Sequence, residues 1–250
     1  MQAYFTLVRR ELGAFFKSWT GYVILAAVMF LIGLSFWHLI DTFNGQSTPV
    51  PITLLFYDYP SFWLIMIIVA PLVTMRSFAL EKSTGTFETL MTTPVSDAQV
   101  VLAKFTGALL FFLFIWLPLL PCLFIVRHYT SDLSAFSSGT LFSTWLGIVM
   151  LSCVYTSMGV FASALTRSQI IAGIVGIATG FTLFMCSFLA VTFPTQTDAI
   201  GKLVAHLAVM QHMRDFAQGV VDVRPLVFDL SLTALFLLLT WKVVESRRWK

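Results

Sequence analysis

The sequence predicts an all-α, polytopic membrane protein with six transmembrane helices, an N-terminal interfacial amphipathic helix and a short cytoplasmic helix. Three observations predict it. First, 58% of the 250 residues are hydrophobic and only 11% are charged, whereas soluble domains carry about a quarter charged residues. So little charge cannot solvate a globule of this size, which makes a soluble enzyme, a disordered chain or a secreted disulfide scaffold a poor fit. Second, the charges are bunched, leaving uncharged runs at 18–40, 59–75, 105–126, 133–166, 168–197 and 230–241. Third, these runs lack the apolar–polar alternation over about ten residues that a membrane β-barrel shows. Their backbone amides must therefore be paired within helices.

A span needs about 20 mostly apolar residues to cross ~30 Å of hydrocarbon. This places spans near 20–40, 60–76, 105–126, 141–164, 169–192 and 225–243, with Asp229 in the first turn of the last, where a carboxylate still reaches the interface. The first run is too long for the apolar region of a secretory leader and has no A-x-A-like cleavage site, so it reads as a retained span. With the N-terminus inside, eleven Lys and Arg fall on the inner side and four (Arg127, Lys202, Arg214, Arg224) on the outer. Positive residues favour the cytoplasmic side, so both termini are expected there. The net charge of +3 follows from this bias and does not argue for nucleic acid. Cys122, Cys153 and Cys186 fall one per span with no C-x-x-C pair, and read as small packing residues.

Residues 4–19 precede the first span. At 100° per residue Tyr4, Phe5, Val8, Leu12, Phe15, Phe16 and Trp19 share one arc, with Thr6, Arg10 and Lys17 opposite, which is how a helix lies in a membrane interface. Between spans 2 and 3 the stretch from Arg76 to Lys104 is too amphiphilic to be slack. A break at Ser83-Thr84-Gly85-Thr86 is followed by Phe87, Leu90 and Met91 at helical spacing, with Glu88 on another face. Thr92-Thr93-Pro94 ends that helix, and Ser96 caps the next with Gln99 as its capping-box partner.

Glu81-x-x-x-Gly85-Thr86-x-Glu88, then Leu90, Thr93-Pro94-Val95-Ser96 and Lys104, resembles the cytoplasmic loop of ABC-2 type transporter permeases, the membrane subunits of ATP-driven exporters. His212-x-x-x-Phe216-x-x-Gly219-Val220-Val221-Asp222, then Leu232 to Leu239 and Arg247-Arg248-Trp249, is similar to the gliding-motility Gld-type branch. The resemblance covers essentially the whole chain and implies one transmembrane domain over 1–250. It implies that loop 77–98 is the coupling element docking on a separate ATPase. Glu81, Gly85, Thr86, Phe87, Glu88, Leu90 and Met91 would make that contact, with the interfacial helix (Phe5, Val8, Leu12, Phe15, Phe16, Trp19) beside it. This chain would bind no cofactor, ATP and Mg belonging to the ATPase. Further implied partners are a second copy or a related permease, the lipid bilayer and, in Gld-type systems, a membrane-anchored subunit with a large extracytoplasmic domain. The implied location is the bacterial cytoplasmic (inner) membrane.

In the outer loop 194–225, Ile200, Leu203, Leu207 and Met210 recur at three- and four-residue spacing, so a helix is expected, ended near Gly219. In ABC-2 permeases the matching region closes the outer mouth, which implies a lid carried by Leu203, Leu207, Met210, Phe216 and Gly219. A soft-metal site built from His206, Met210, His212 and Met213 is the alternative. Pro71, Pro118 and Pro121 should kink spans 2 and 3. Gly173, Gly176 and Gly180 lie nearly on one face of span 5 and suit close helix packing.

The catalytic search is negative. There is no G-x-x-x-x-G-K-[ST], G-x-S-x-G or H-E-x-x-H, and no pair of intramembrane aspartates. An intramembrane enzyme would need polar groups inside spans, and Ser152, Ser157 and Thr182 have no evident base. The expectation is a permease subunit energised from outside. The alternative is a mechanotransmission or scaffold complex that drives an extracytoplasmic partner without moving a substrate through itself.

Overall fold

The computed structural model describes residues 2–42, 52–87, 95–129, 138–192 and 208–246, which are helical with no strand among them. An N-terminal helix, α1 (Gln2–Phe16), turns at Lys17-Ser18 into α2 (Trp19–Thr42). Trp19 therefore opens the first span and does not end the interfacial helix as its spacing suggested. A short α3 (Ile52–Asp58) leads into α4, which runs from Pro60–Leu64 through a π-helical turn (Ile65–Val69) to Ala70–Thr74. Proline has no amide hydrogen and crowds the carbonyl four residues back; the wider turn just before Pro71 is where that defect is absorbed. After α5 (Ala79–Thr84) come α6 (Asp97–Trp116) and α7 (Leu119–Tyr129), split at Leu117-Pro118. The chain is completed by α8 (Ser138–Leu165), α9 (Gln169–Thr192), α10 (Val209–Ala217) and α11 (Val223–Glu245).

Among the described residues six helical stretches are long and apolar enough to cross a membrane: Trp19–Asp41, Pro60–Thr84, Asp97–Ile125, Gly139–Leu165, Gln169–Thr192 and Val223–Glu245. The third begins eight residues before the charge-free run at 105, because Lys104 is sheltered by partners from other helices. The reciprocal bonds of the Ser96–Gln99 capping box are both present, at 3.3 Å each.

α8 is the most buried span and sits at the centre. Midway along it Ser152 donates back to Ile148 O (2.6 Å) and Ser157 to Val154 O (2.8 Å), so these two hydroxyls need no partner elsewhere. Tyr155 of α8 shares one buried cluster with Phe62, Phe111, Phe112 and Trp116 from the helices around it. Close crossings depend on small residues. A Cβ on Gly176 would stand 2.9 Å from the Pro71 ring, and one on Gly180 would stand 3.1 Å from Tyr155. The glycine face of span 5 is thus used within the chain.

Candidate functional site

Two ends of the bundle carry its buried polar chemistry. At the charged end, α1 lies along α6, and its apolar arc divides. Val8, Leu12 and Phe15 turn inward, Phe15 stacking on Phe111 at 4.6 Å between centroids. Phe5, Phe16 and Trp19 stay exposed. The approach is close enough that a Cβ on Gly107 would meet Glu11 Cβ at 2.7 Å.

That proximity assembles four charges from three elements. Lys104 Nζ lies 2.8 Å from Glu81 Oε1 and 3.1 Å from Glu11 Oε1, with its side chain only 3% exposed. Arg10 reaches the same two oxygens at 3.2 and 3.1 Å from the solvent side. Glu81, expected to face a partner, is instead held inside the chain, because α5 presents it to α6. Glu11 and its partner Lys104 are 93 residues apart. The sequence signal for Glu11 was a lone carboxylate on a helix otherwise apolar and basic.

α5 is fixed in the same way. Ser163 Oγ accepts from the amides of Phe78 (3.0 Å) and Ala79 (3.1 Å) and donates to Met75 O (3.0 Å). Lys82 is buried, donates to Ala164 O and stands over the Phe87 ring. Phe87 itself is 7% exposed and packs with Phe78, Val100, Val101, Val160, Ala164 and Val244. Its expected place as an anchor on a partner is therefore corrected: the side chain fills this chain's own cluster. Between these tethers the turn 83–86 is exposed. Gly85 ends α5 with φ +75, a left-handed geometry that only glycine adopts without strain. Glu88, Leu90 and Met91 lie outside the described residues.

At the far end α10 is an ordered helix, but one sunk among α3, α8 and α9. Val209, Met213, Phe216 and Ala217 are buried. Ser143 Oγ donates to Phe216 O (2.6 Å), Thr53 Oγ1 to Ala217 O (2.7 Å), and the Met210 amide to Ser187 Oγ (2.7 Å). Gly219, at φ +89, closes it. A Cβ on Gly147 would meet Met213 and Phe216 at 2.9 Å each, so α8 opens a notch for this helix. Leu203 and Leu207 of the expected lid lie outside the described residues.

Next to it Asp229 is 1% exposed, with His212 Nδ1 at 3.6 Å and no hydrogen bond to either carboxylate oxygen among the described residues. Its expected interfacial position is corrected. Asp222 caps α11 by accepting from the Arg224 amide at 3.1 Å, so the helix starts earlier and Asp229 sits in its second turn, facing inward. The soft-metal set does not converge: His212 faces α11 while Met213 packs on α8. His206 lies outside the described residues, among which no cluster of three His, Cys, Asp or Glu could hold a metal.

Five apolar spans around a sixth, the central α8, with a tethered helix at one end and a sunken one at the other, define a polytopic membrane protein. A family model for ABC-2 family transporter proteins matches residues 6–244; the chain belongs to that family and is a multi-pass membrane protein. No curated protein matches it significantly. Membership implies an ABC ATPase as partner in general terms.

Proposed function

We propose that the chain is the permease subunit of an ATP-driven ABC exporter, energised by a separate ATPase that docks on the exposed turn Ser83-Thr84-Gly85-Thr86. One observation carries this reading. The turn is exposed between two buried anchors, Lys82 on Ala164 O before it and Phe87 in the cluster of Val100, Val101, Val160 and Ala164 after it, with Glu81 on Lys104 one residue further back, so a push on it is passed to α6 and α8 without slack. Glu88, Leu90 and Met91, which follow the turn in the sequence, belong to the same contact in this reading, with Glu88 as the charged group that fixes register. In this reading both termini are cytoplasmic, as the Lys and Arg bias supports, the membrane is the bacterial inner membrane, and ATP and Mg stay on the partner. The chain itself is non-catalytic. Two permeases assemble around a central path, and the closing C-terminal motif favours a Gld-type system with an additional membrane-anchored subunit.

The alternative is a complex that drives an extracytoplasmic partner without passing a substrate. The hydroxyls of Ser152, Thr156 and Ser157 midway along α8, each satisfied by its own helix, favour it, since they offer little hydrophilic lining. Transport into vesicles, measured against ATP-driven rearrangement without flux, separates the two.

The docking test is Thr86→Arg together with Glu88→Ala. Both should release the ATPase on purification or uncouple its hydrolysis while leaving folding and insertion intact. Retention of wild-type coupling in both variants would defeat the reading. Phe87→Ala is a poor probe, because it empties a packed cluster within the chain.

A further inference from the structure

At the charged end, α1, the Lys17–Gly21 turn, the end of α4 and α5 enclose a cavity of about 430 Å³, within the roughly 300–1,000 Å³ typical of ligand sites. Its floor is apolar, formed by Phe15, Ile24, Leu72 and Met75, and its rim is charged. Two rim residues have unfilled valences of opposite sign. Arg76 spends Nη1 on Thr20 Oγ1 (2.7 Å) and, more weakly, on Ser18 Oγ (3.5 Å), while its Nε is buried with no hydrogen-bond partner among the described residues. Glu81 gives Oε1 to both Lys104 and Arg10, while its Oε2 is buried and equally unpartnered. Buried polar atoms are normally satisfied. Here one orphan donor on a guanidinium and one orphan acceptor on a carboxylate belong to side chains that line the same cavity.

We propose that this cavity binds the headgroup of a zwitterionic aminophospholipid, with the phosphodiester on Arg76, the ammonium on Glu81 and the first acyl carbons against the apolar floor. The guanidinium fork suits a phosphate, and an ammonium brings the hydrogen-bond donor that Glu81 Oε2 lacks. Charge agrees: Arg10, Glu11, Glu81 and Lys104 cancel, leaving Arg76 as the uncompensated cation of the rim. The depth agrees as well, because Trp19, exposed between the cavity-lining Ser18 and Thr20, is a residue type that marks the headgroup level of a bilayer. A lipid seated there bridges α5 to α2 and makes the position of the exposed turn depend on the membrane.

The test uses the purified full-length protein in nanodiscs of equal parts phosphatidylethanolamine, phosphatidylglycerol and phosphatidylcholine, with retained lipid identified by native mass spectrometry. One charge-assisted contact corresponds to roughly ten-fold enrichment of the ethanolamine lipid over the choline lipid, whose headgroup has no donor. Arg76→Gln should lower retention of all three, and Glu81→Gln should level ethanolamine with choline. Equal retention of all three by the wild-type protein overturns the proposal, and so does a glycerol lipid retained as well as the ethanolamine one, which would mean that phosphate alone is recognised. A ten-fold excess of inorganic phosphate that strips the lipid would place a free anion there and overturn it too. Because the wild-type comparison needs no substitution, failure of either variant to fold leaves the decision intact.

Discussion

The two ends of the bundle bury charge in opposite ways. At the charged end Lys104 meets two carboxylates at 2.8 and 3.1 Å, and a second cation covers those carboxylates from the solvent side. At the far end Asp229, more deeply buried, has a single imidazole at 3.6 Å. Desolvating a charge costs several kcal/mol, which is recovered only when geometry is good and remaining valences are filled. The first arrangement meets that condition for Lys104 and acts as a rivet joining α1, α5 and α6. The second does not, so it adds little to stability, and a carboxylate buried at that cost suits a role other than holding helices together.

The largest expected effect tests the rivet. Lys104→Ala leaves Glu11 and Glu81 facing one another with only Arg10 between them, and should cost roughly 3 kcal/mol, the low end for a broken buried pair because Arg10 still reaches both. Thermal unfolding in detergent reads this directly. Lys104→Arg should recover part of the loss. A fall in stability no larger than that of a typical surface substitution would mean that the four charges are solvated and the comparison between the two ends is false.

Gly107→Ala breaks the same rivet without touching a charge. The new methyl falls 2.7 Å from Glu11 Cβ, an atom too near the backbone to swing aside, so α1 must move off α6. Overpacking of this kind costs about 1–3 kcal/mol. Limited proteolysis should show α1 cleaved faster in the variant, with the six spans still protected. Unchanged protection of α1 would show that the helix is held by the membrane and not by α6.

What the sequence allowed to be read divides along the same line. The spans were legible because hydrocarbon excludes charge over whole segments, and the Ser96–Gln99 box because a cap is settled within four residues. Gly85 was legible as a break because α5 closes on it in the left-handed region. Glu81 is not legible for the converse reason: its partners come from positions 10 and 104, and no local pattern says that α1 will lie against α6. Phe87 looked like a docking anchor because a surface helix and a buried one can share the same spacing. Asp229 lies deeper than its place beside the uncharged run 230–241 implies, because the cap at Asp222 starts the helix earlier.

Gly85→Ala sharpens the comparison at the exposed turn. The φ of +75 disfavours any side chain by about 1 kcal/mol, while a Cβ there would meet no atom within 4 Å. The loss should therefore come from local strain alone, with the Lys104 contacts intact. Amide exchange should quicken over 79–87 and stay unchanged in α6. Faster exchange in α6 as well would show that the turn and the rivet open together.

The smallest expected effect belongs to Asp229. Replacing a buried carboxylate that lacks hydrogen bonds by a neutral amide of nearly the same shape removes the desolvation cost and gives up only a long contact to His212. Asp229→Asn should therefore change stability by less than about 1 kcal/mol, and a gain is as acceptable as no change. The same substitution takes from α11 the one acidic group facing α10, so any effect should appear in the far-end helix: altered exchange of the Val209–Ala217 amides, or altered output of the assembled complex with ATP hydrolysis preserved. A destabilisation equal to that of Lys104→Ala would mean that Asp229 is as well compensated as the four-charge cluster, through contacts tighter than 3.6 Å to its imidazole, and the distinction between a structural end and a responsive end would fall.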